Sequence, residues 1–357
     1  MASDTSSLLY RPHELAFRTQ YAELKERSAA AGVLLPGTPG TLVLRSGTGH
    51  RYWYRSHYAV PGRAAEDYIG RVDDEGALKH AQERMAFADW AARQVRDLRK
   101  LQFQVADKDV ARVLVELHNA GLVAAGLVLV GTLAWMAWLN ELGAKAVSAR
   151  TQDIDLARRQ ALRLAAPQPL LAVLAPTRLE LSPVPGLARG HASTSLKRPG
   201  AAGLRIDFLA DGSPLGHAVA LPELHWHAQA VPHLDHLLDD ARPAALLAGG
   251  HCVPVLLPAP ERLVWHKVYA SAARRSFPEK ARKDLIQAAT LAAALVEQDD
   301  TPLTDGLRDM PGGEWWDRIV SRGDAVFDLL SAHPEAQAQW QAALNGRPKA
   351  SRQGTRL

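Results

Sequence analysis

The sequence predicts an α+β protein in which a mixed sheet is flanked by helices, with a β-hairpin and helix module before it and a helical region after it. Three patterns lead to this fold class. Aromatic and polar residues alternate between turn signals in residues 40–75, helix and strand patterns alternate in residues 106–258, and helical spacing dominates from residue 259 onward. We therefore expect domains at 1–105, 106–258 and 259–345, followed by a basic, disordered tail at 346–357.

The N-terminal module is predicted to contain strands followed by one long helix. The turn signals "SGTG" and "VPG" separate the strands, and Ala and Leu recur at helical spacing in residues 76–103. A cluster of aromatic and basic residues lies on the middle strand: Arg51, Tyr52, Trp53, Tyr54 and Arg55. Its alternation favours aromatic side chains packed in the sheet, and a surface that stacks on nucleic-acid bases is the alternative.

A segment without charged residues, from Asn119 to Asn140, is long enough to cross a membrane as a helix. However, the β-rich "LVLV" and the pair Gly131-Thr132 interrupt it, and the amphipathic "KDVARVLVELHNAG" leads into it. A buried strand, a glycine turn and a buried helix, "TLAWMAWLNELG", have the same hydropathy. We therefore predict strand, turn and helix, and no membrane segment.

The rest of the chain is predicted to alternate strand and helix and then to become helical. The strands are "TQDIDLA", "RLELSPV" and "GLRIDFLAD", with "PLLAVLA" as a helix between the first two. A Pro- and His-rich connector then extends to residue 258, and the later helices are broken at Pro278 and at "DDTPLTDG". Irregular spacing favours connector residues over a zinc site for the histidines of this segment: His217, His225, His227, His233 and His236.

Composition indicates a globular protein of a reducing compartment. Of 357 residues, 47% are hydrophobic and 22% are charged, which is enough for a sizeable core. The single cysteine, Cys252, has no disulfide partner in the chain and excludes a Cys-rich zinc site. Because the opening residues are also too polar for a secretion signal, we expect a cytoplasmic protein. The sequence leaves its oligomeric state open.

The net charge of +4 is concentrated in one segment. Residues 261–290 contain seven Lys or Arg against three Asp or Glu, and the remaining 35 basic and 35 acidic residues balance. Such a patch indicates an anion site, and a solvated helical face is the alternative.

Two carboxylates lie one residue apart in the strand "TQDIDLA". Side chains alternate in a strand, so Asp153 and Asp155 project to one side while Ile154 and Leu156 project to the other. Two acids this close raise each other's pKa unless a cation lies between them, and a divalent metal ion is the usual cation. A strand end with one solvated face is the alternative for an isolated D-x-D pattern.

Two further features accompany the acid pair. Asp207 lies in another apolar strand, "LRIDFLA", and "LVLV" leads through Gly131 and Thr132 into a helix, whose N-terminus can hold an anion on backbone N–H groups. The order of turn, D-x-D strand and later acid strand resembles the nucleotidyltransferase superfamily, which includes DNA polymerase β, poly(A) polymerases, CCA-adding enzymes and kanamycin nucleotidyltransferase.

The resemblance implies a fold, a reaction and a set of site residues. Residues 106–258 would form the catalytic domain, in which Asp153, Asp155 and Asp207 are catalytic and hold Mg²⁺ or Mn²⁺. Gly131 and Thr132 would hold the β- and γ-phosphates of an NTP. Ser195, in "HASTSLKRPG", would line the nucleotide or acceptor side, although a surface turn explains this segment equally well.

The helix after this domain resembles a bacterial subgroup of nucleotidyltransferases related to the toxin enzymes of abortive-infection systems. The pair His266-Lys267 and the later Lys283-Asp284-Leu285 carry the resemblance. It implies that Lys267 reaches the triphosphate, with Arg274 on the same helical face. Two departures stand out: threonine follows Gly131 where the superfamily has Ser or Gly, and twenty residues separate Thr132 from Asp153 where many members have about half as many.

We therefore predict a metal-dependent enzyme that moves a nucleoside monophosphate from an NTP to an acceptor hydroxyl and releases pyrophosphate. The candidate acceptors are RNA or tRNA, a protein side chain and a small molecule, and a toxin or defence role follows only from the subgroup. The alternative is a non-catalytic nucleic-acid-binding or regulatory protein that keeps the fold.

Overall fold

The computed structural model describes residues 8–47, 49–60, 62–186, 192–200, 203–274 and 276–346. It confirms the predicted α+β class, with a mixed sheet and flanking helices. Apart from Gly346, the predicted disordered tail lies outside the described residues.

The N-terminal part of the chain contains a three-stranded antiparallel sheet and two helices. Its elements are β1 (Tyr10–Pro12), α1 (Leu15–Ala30), β2 (Thr41–Gly47), β3 (His50–Val60), β4 (Arg63–Arg71) and α2 (Glu75–Lys100). The sheet has the order β2-β3-β4, which confirms the strands predicted from the alternating aromatic residues. The Asp74 side chain accepts a hydrogen bond from the Ala77 N–H and so caps the long helix.

The uncharged segment folds as the sequence predicts. Its elements are α3 (Lys108–Asn119), β5 (Val128–Val130) and α4 (Gly131–Glu141). In the described part of the chain, no helix combines the length and the apolar character needed to cross a membrane. The α4 helix is instead held inside the protein, because the indole N–H groups of Trp135 and Trp138 donate to the carbonyls of Gln287 and Pro258, both at 2.9 Å.

The central sheet is built from strands on both sides of the D-x-D motif. The elements of this region are β6 (Ala144–Ala146), β7 (Asp153–Arg158), α5 (Leu170–Leu174), β8 (Ser182–Pro183), β9 (Ser195–Lys197), β10 (Arg205–Asp211), β11 (Ala218–Leu221), β12 (Trp226–Val231), α6 (Leu234–Leu238), β13 (Arg242–Ala248) and β14 (His251–Leu257). The sheet has the order β11-β12-β10-β7-β5-β14-β13, with β9 beside β10 and β8 beside β9. The β7, β10 and β12 strands are parallel, and β5 is antiparallel to β7.

The predicted Pro- and His-rich connector is wrong, because four strands lie in it. The β11 and β12 strands extend one end of the central sheet, and the β13–β14 hairpin forms the other end. The predicted strand "RLELSPV" is also largely wrong, since β8 covers only two of its residues.

The unusually long segment between Thr132 and Asp153 contains an additional strand, β6. The β6 strand pairs antiparallel with β1 in a separate two-stranded sheet, and Tyr10 lies opposite Ala146. The additional residues therefore connect the start of the chain to the segment that enters β7.

The C-terminal part is helical, as predicted, and packs directly on α4. Its helices are α7 (Pro260–Ala273), α8 (Pro278–Asp299), α9 (Gly313–Val320), α10 (Gly323–Leu329) and α11 (Pro334–Asn345). The Trp265 and Trp340 rings stack at a centroid distance of 4.4 Å, and both are fully buried. One hydrophobic cluster extends from the central sheet to these helices. The domain boundaries drawn from the sequence stay predictions.

Candidate active site

The two acids of β7 project to one side of the sheet, as predicted. Ile154 and Leu156 are buried, whereas Asp153 is exposed and Asp155 is partly buried. The apolar side chains hold the strand in the core, which directs the acids to the opposite face.

Strand register brings the third acid to the same place. In the parallel pair β7 and β10, Asp155 lies opposite Asp207, and Asp153 lies opposite Arg205. On the other side of β7, Asp155 lies opposite Val130, the last residue of β5. The D-x-D strand therefore lies between the third acid and the start of α4.

Gly131 begins α4 in close contact with Asp155. Its φ is +70°, and a Cβ at this position would lie 2.1 Å from Asp155 Oδ2. Only glycine satisfies both the backbone conformation and the contact. Thr132 follows in the first turn of α4, where backbone N–H groups have no partner within the helix. Gly131 and Thr132 thus place a potential anion site beside a carboxylate.

The environment of Asp155 disfavours its charged form. Burial, with the neighbouring carboxylates of Asp207 and Asp153, raises the Asp155 pKa to about 6, while Lys267 and Arg274 oppose this shift. In the described part of the chain, the Asp155 side chain has no hydrogen-bond or ion-pair partner. A cation at this carboxylate would favour its charged form and so oppose the shift.

The Asp207 carboxylate is held by two neighbours. Arg205 Nε donates to its two oxygens at 2.9 Å and 2.8 Å, and Ser195 Oγ donates to Oδ1. Arg205 Nη2 also donates to Ser195 Oγ at 3.0 Å. Ser195 lies opposite Asp207 in the β9–β10 pair and is buried. Ser195 therefore orients the third acid.

The predicted cations of the following helix converge on a buried acid. Lys267 Nζ donates to Gln287 Oε1 at 2.7 Å and lies 3.6 Å from Asp284 Oδ1, while Arg274 Nη1 lies 3.1 Å from Asp284 Oδ2. Lys267 and Asp284 are 4% and 5% exposed. Burial lowers the Lys267 pKa, and Asp284 opposes this effect. Lys267 thus belongs to an ion cluster between α7 and α8.

The acids have ligand atoms suited to a hard divalent cation, but they do not form a closed cluster. Within the described ranges, no group of three or more His, Cys, Asp or Glu residues is placed to hold a metal ion. Asp153 and Asp155 nevertheless offer carboxylate oxygens, and Asp155 lacks a partner of its own there. The third carboxylate is bound by Arg205. The oxygen donors therefore fit Mg²⁺ or Mn²⁺, with Arg205 as a competitor at Asp207.

The partners of Asp207 and Lys267 were not predicted from the sequence. The pattern "RID" places Arg205 and Asp207 on one side of a strand, so alternation alone could have found the first pair. Asp284 and Gln287 lie three residues apart and so on one face of α8. Their pairing with Lys267 had no local signal, since 20 residues separate Lys267 from Gln287.

Comparison with known proteins identifies a family to which the chain is similar. A sequence profile of a family described as "Nucleotidyltransferase" matches residues 108–310, which is more than half of the chain. Neither the curated proteins nor the solved structures give a significant match.

Proposed function

This chain belongs to the nucleotidyltransferase family, and from that membership we propose that it transfers a nucleoside monophosphate from an NTP to an acceptor hydroxyl and releases pyrophosphate. The position of Asp155 carries the proposal, because this carboxylate lies opposite Asp207 and contacts Gly131 at the start of a helix. The matched region contains all of these residues.

The residues of this site divide the work of binding and orientation. The N-terminus of α4, with Gly131 and Thr132, binds the non-transferred phosphates through backbone N–H groups. Asp153, Asp155 and Asp207 would hold Mg²⁺ or Mn²⁺, which when bound neutralises charge on the triphosphate and lowers the pKa of the acceptor hydroxyl. Ser195, opposite Asp207 in the β9–β10 pair, fixes the orientation of the Asp207 carboxylate.

The ion cluster of α7 and α8 supports the site electrostatically. Lys267 and Arg274 both oppose the rise in the Asp155 pKa, so their charge favours the ionised carboxylate. Because Lys267 is buried and bonded to Gln287, we propose that it acts on the site through its charge and through Asp284. Arg274 is the more exposed of the two cations and is the better candidate for direct contact with a phosphate.

The biological setting is a proposal that rests on the sequence. RNA or tRNA is the proposed acceptor class, and the cytoplasm is the proposed compartment. The relation to abortive-infection toxins, carried by His266-Lys267 and Lys283-Asp284-Leu285, stays a prediction.

One observation favours a second candidate function. Arg205 neutralises Asp207, as expected in a protein that keeps the fold without the metal-dependent chemistry. That candidate is a non-catalytic nucleic-acid-binding or regulatory protein.

Incubation with labelled nucleotides distinguishes the two candidates. The purified chain is mixed with each α-³²P-labelled NTP, Mg²⁺ and total RNA, and acid-precipitable label is counted. We expect label to enter one acceptor fraction, to require Mg²⁺, and to fall by at least about a thousandfold in the Asp155→Asn variant, as expected for loss of metal-assisted catalysis. Equal labelling by the variant, or no labelling with any NTP and acceptor, would favour the non-catalytic candidate.

A further inference from the structure

A large cleft lies beside the proposed active site, and the three acids are not among its lining residues. Its volume is about 1330 Å³, and it lies between the C-terminal half of α2, the start of α3 and the segment 146–152 that enters β7. A space of this size exceeds what one nucleotide needs, so it can accommodate several units of a polymer.

The cleft is lined by basic side chains, four of which have no ion pair within the described part of the chain. Arg96, Arg99, Lys108 and Arg150 line it, are exposed, and have no ion pair with any residue that the structure describes. Asp107 is the one carboxylate of the described lining, and it caps α3 by accepting from the Lys108 N–H at 2.7 Å. Unpaired cations on facing walls, with so little opposing charge, attract a polyanion.

The cleft leads to the proposed catalytic acids through one continuous segment. Arg150, Thr151 and Gln152 line the cleft, and Asp153 follows directly. The Gln152 carbonyl accepts a hydrogen bond from the Arg205 N–H at 2.9 Å, which joins the cleft to the strand that contains Asp207. A polymer bound along this wall would therefore end near Asp153 and Asp207.

A second link connects the α3 wall to the active-site strands. Asp109 accepts hydrogen bonds from Arg112 Nη1 at 3.0 Å and from Arg198 Nη1 at 2.6 Å. Arg198 directly follows β9, the strand that contains Ser195. The start of α3 is thereby fixed relative to the third acid.

One exposed aromatic side chain completes the lining. Tyr58 of β3 is 55% exposed, and its N–H donates to Thr38 Oγ1 at 3.1 Å. A tyrosine ring held on a strand beside unpaired cations can stack on a base while the cations contact the backbone phosphates.

We propose that this cleft binds a single-stranded polynucleotide and directs its terminal hydroxyl to the acids at the start of β7. The inference rests on the proposed function, since it names the acceptor of the same reaction. Arg96, Arg99, Lys108 and Arg150 contact phosphates, and Tyr58 stacks on a base. RNA and DNA share this backbone chemistry, so the test includes both.

The test measures binding without catalysis. Fluorescence anisotropy of a 5′-labelled single-stranded RNA of mixed sequence, and of the matching DNA, is recorded against the full chain without NTP at several salt concentrations. The test variant replaces Arg96, Arg99 and Lys108 by Ala. The control variant replaces Lys79, Arg93 and Lys100 by Ala, because these are exposed basic residues of the same helix region that lie outside the cleft.

We expect the test variant to bind RNA at least about tenfold more weakly than the parent. The slope of log K against log salt should also become less steep by about 2, because each of the three lost phosphate contacts contributes about 0.7 to the slope. The control variant should stay close to the parent in both quantities. If the two variants lose the same affinity, or if the parent binds neither polymer at low salt, the cleft is not the acceptor site. Tighter binding of DNA than of RNA would assign DNA as the polymer.

The transfer assay separates this proposal from the function on which it rests. If the parent transfers nucleotide to a protein or small molecule while RNA binding is unaffected by the test variant, the cleft proposal fails and the function stands. If RNA binds through the cleft and no NTP is consumed with any acceptor, the function fails and the cleft stands as a binding site.

Discussion

Asp155 of β7 and Asp207 of β10 lie directly opposite each other on two adjacent parallel strands. The two carboxylates have different partners. Arg205 and Ser195 hold Asp207, whereas Asp155 has no partner within the described ranges and has a pKa raised to about 6. This asymmetry indicates that the two acids differ in their need for a cation.

Asp155→Asn should make the metal-free protein more stable at alkaline pH. The Asp155 pKa is higher in the folded chain than its ordinary value of 3.8, so its ionisation destabilises the fold as the pH rises from about 4 through about 6. At about 1.4 kcal/mol per pKa unit, the variant should gain on the order of 3 kcal/mol at pH 8 and almost nothing at pH 4. Urea unfolding in EDTA at both pH values measures this difference.

Asp317→Asn is the control for that experiment, since Asp317 is exposed on α9. Its free energy of unfolding relative to the parent should not change between pH 4 and pH 8. If the stability difference of the Asp155→Asn variant is also the same at pH 4 and pH 8, ionisation of Asp155 does not destabilise the folded chain.

Gly131→Ala should abolish nucleotide transfer, whereas Gly121→Ala should not. Both glycines have positive φ, at +70° and +76°, so either substitution should cost about 1 kcal/mol of stability in backbone strain. The added Cβ at residue 131 would also lie 2.1 Å from Asp155 Oδ2, while nothing lies within 4 Å at residue 121. Transfer rates and melting temperatures of both variants check the prediction. Similar activity in the two variants would show that the contact with Asp155 has no role in catalysis.

The effects of replacing Lys267 and Asp284 on the free energy of unfolding should not be additive. Lys267→Met leaves Asp284 buried with Arg274 as its remaining cation and should cost about 3 kcal/mol. The double variant Lys267→Met with Asp284→Asn should be more stable than the sum of the single effects predicts, because it buries no unpaired charge. Urea unfolding of the single and double variants gives the coupling energy. Additive effects would mean that the ion pair does not stabilise the fold.

Arg205→Gln should strengthen metal binding by releasing Asp207. The pair is partly exposed, with the Arg205 side chain 41% accessible, so we expect about a threefold fall in the Mn²⁺ dissociation constant. Titration calorimetry or Mn²⁺ electron paramagnetic resonance measures it. Arg198→Gln is a matched control, since Arg198 is 42% accessible and also pairs with an aspartate, Asp109. The same change in both variants would indicate a general charge effect and no competition at Asp207.

Local patterns predicted the elements that carry the site. The alternation in "DIDLA" predicted a strand with both acids on one face, and the glycine inside "LVLVGTLAWMAWL" predicted the turn between β5 and α4. Both patterns depend on neighbouring residues only, so the sequence contains all the information that they need.

The missed strands depend on partners that are distant in sequence. Pro243 and Pro254 lie within β13 and β14, where a proline lacks the N–H of a regular ladder, so the segment was predicted to be a connector. The structure accommodates them because β13 is an edge strand and β14 pairs with β5 only at Leu256. The cleft could not be predicted from local patterns either, because its walls come from segments that are distant in sequence: α2, α3 and the segment before β7.

The position of the label in the NTP tests the central claim most directly. The parent chain is incubated with Mg²⁺ and RNA, once with α-³²P-labelled NTP and once with γ-³²P-labelled NTP, and the products are separated by electrophoresis and thin-layer chromatography. Nucleotidyl transfer at the site of Asp153, Asp155 and Asp207 predicts that the α label joins the acceptor and the γ label leaves as pyrophosphate. A γ label on the acceptor, with the α label left in a nucleoside diphosphate, would contradict it.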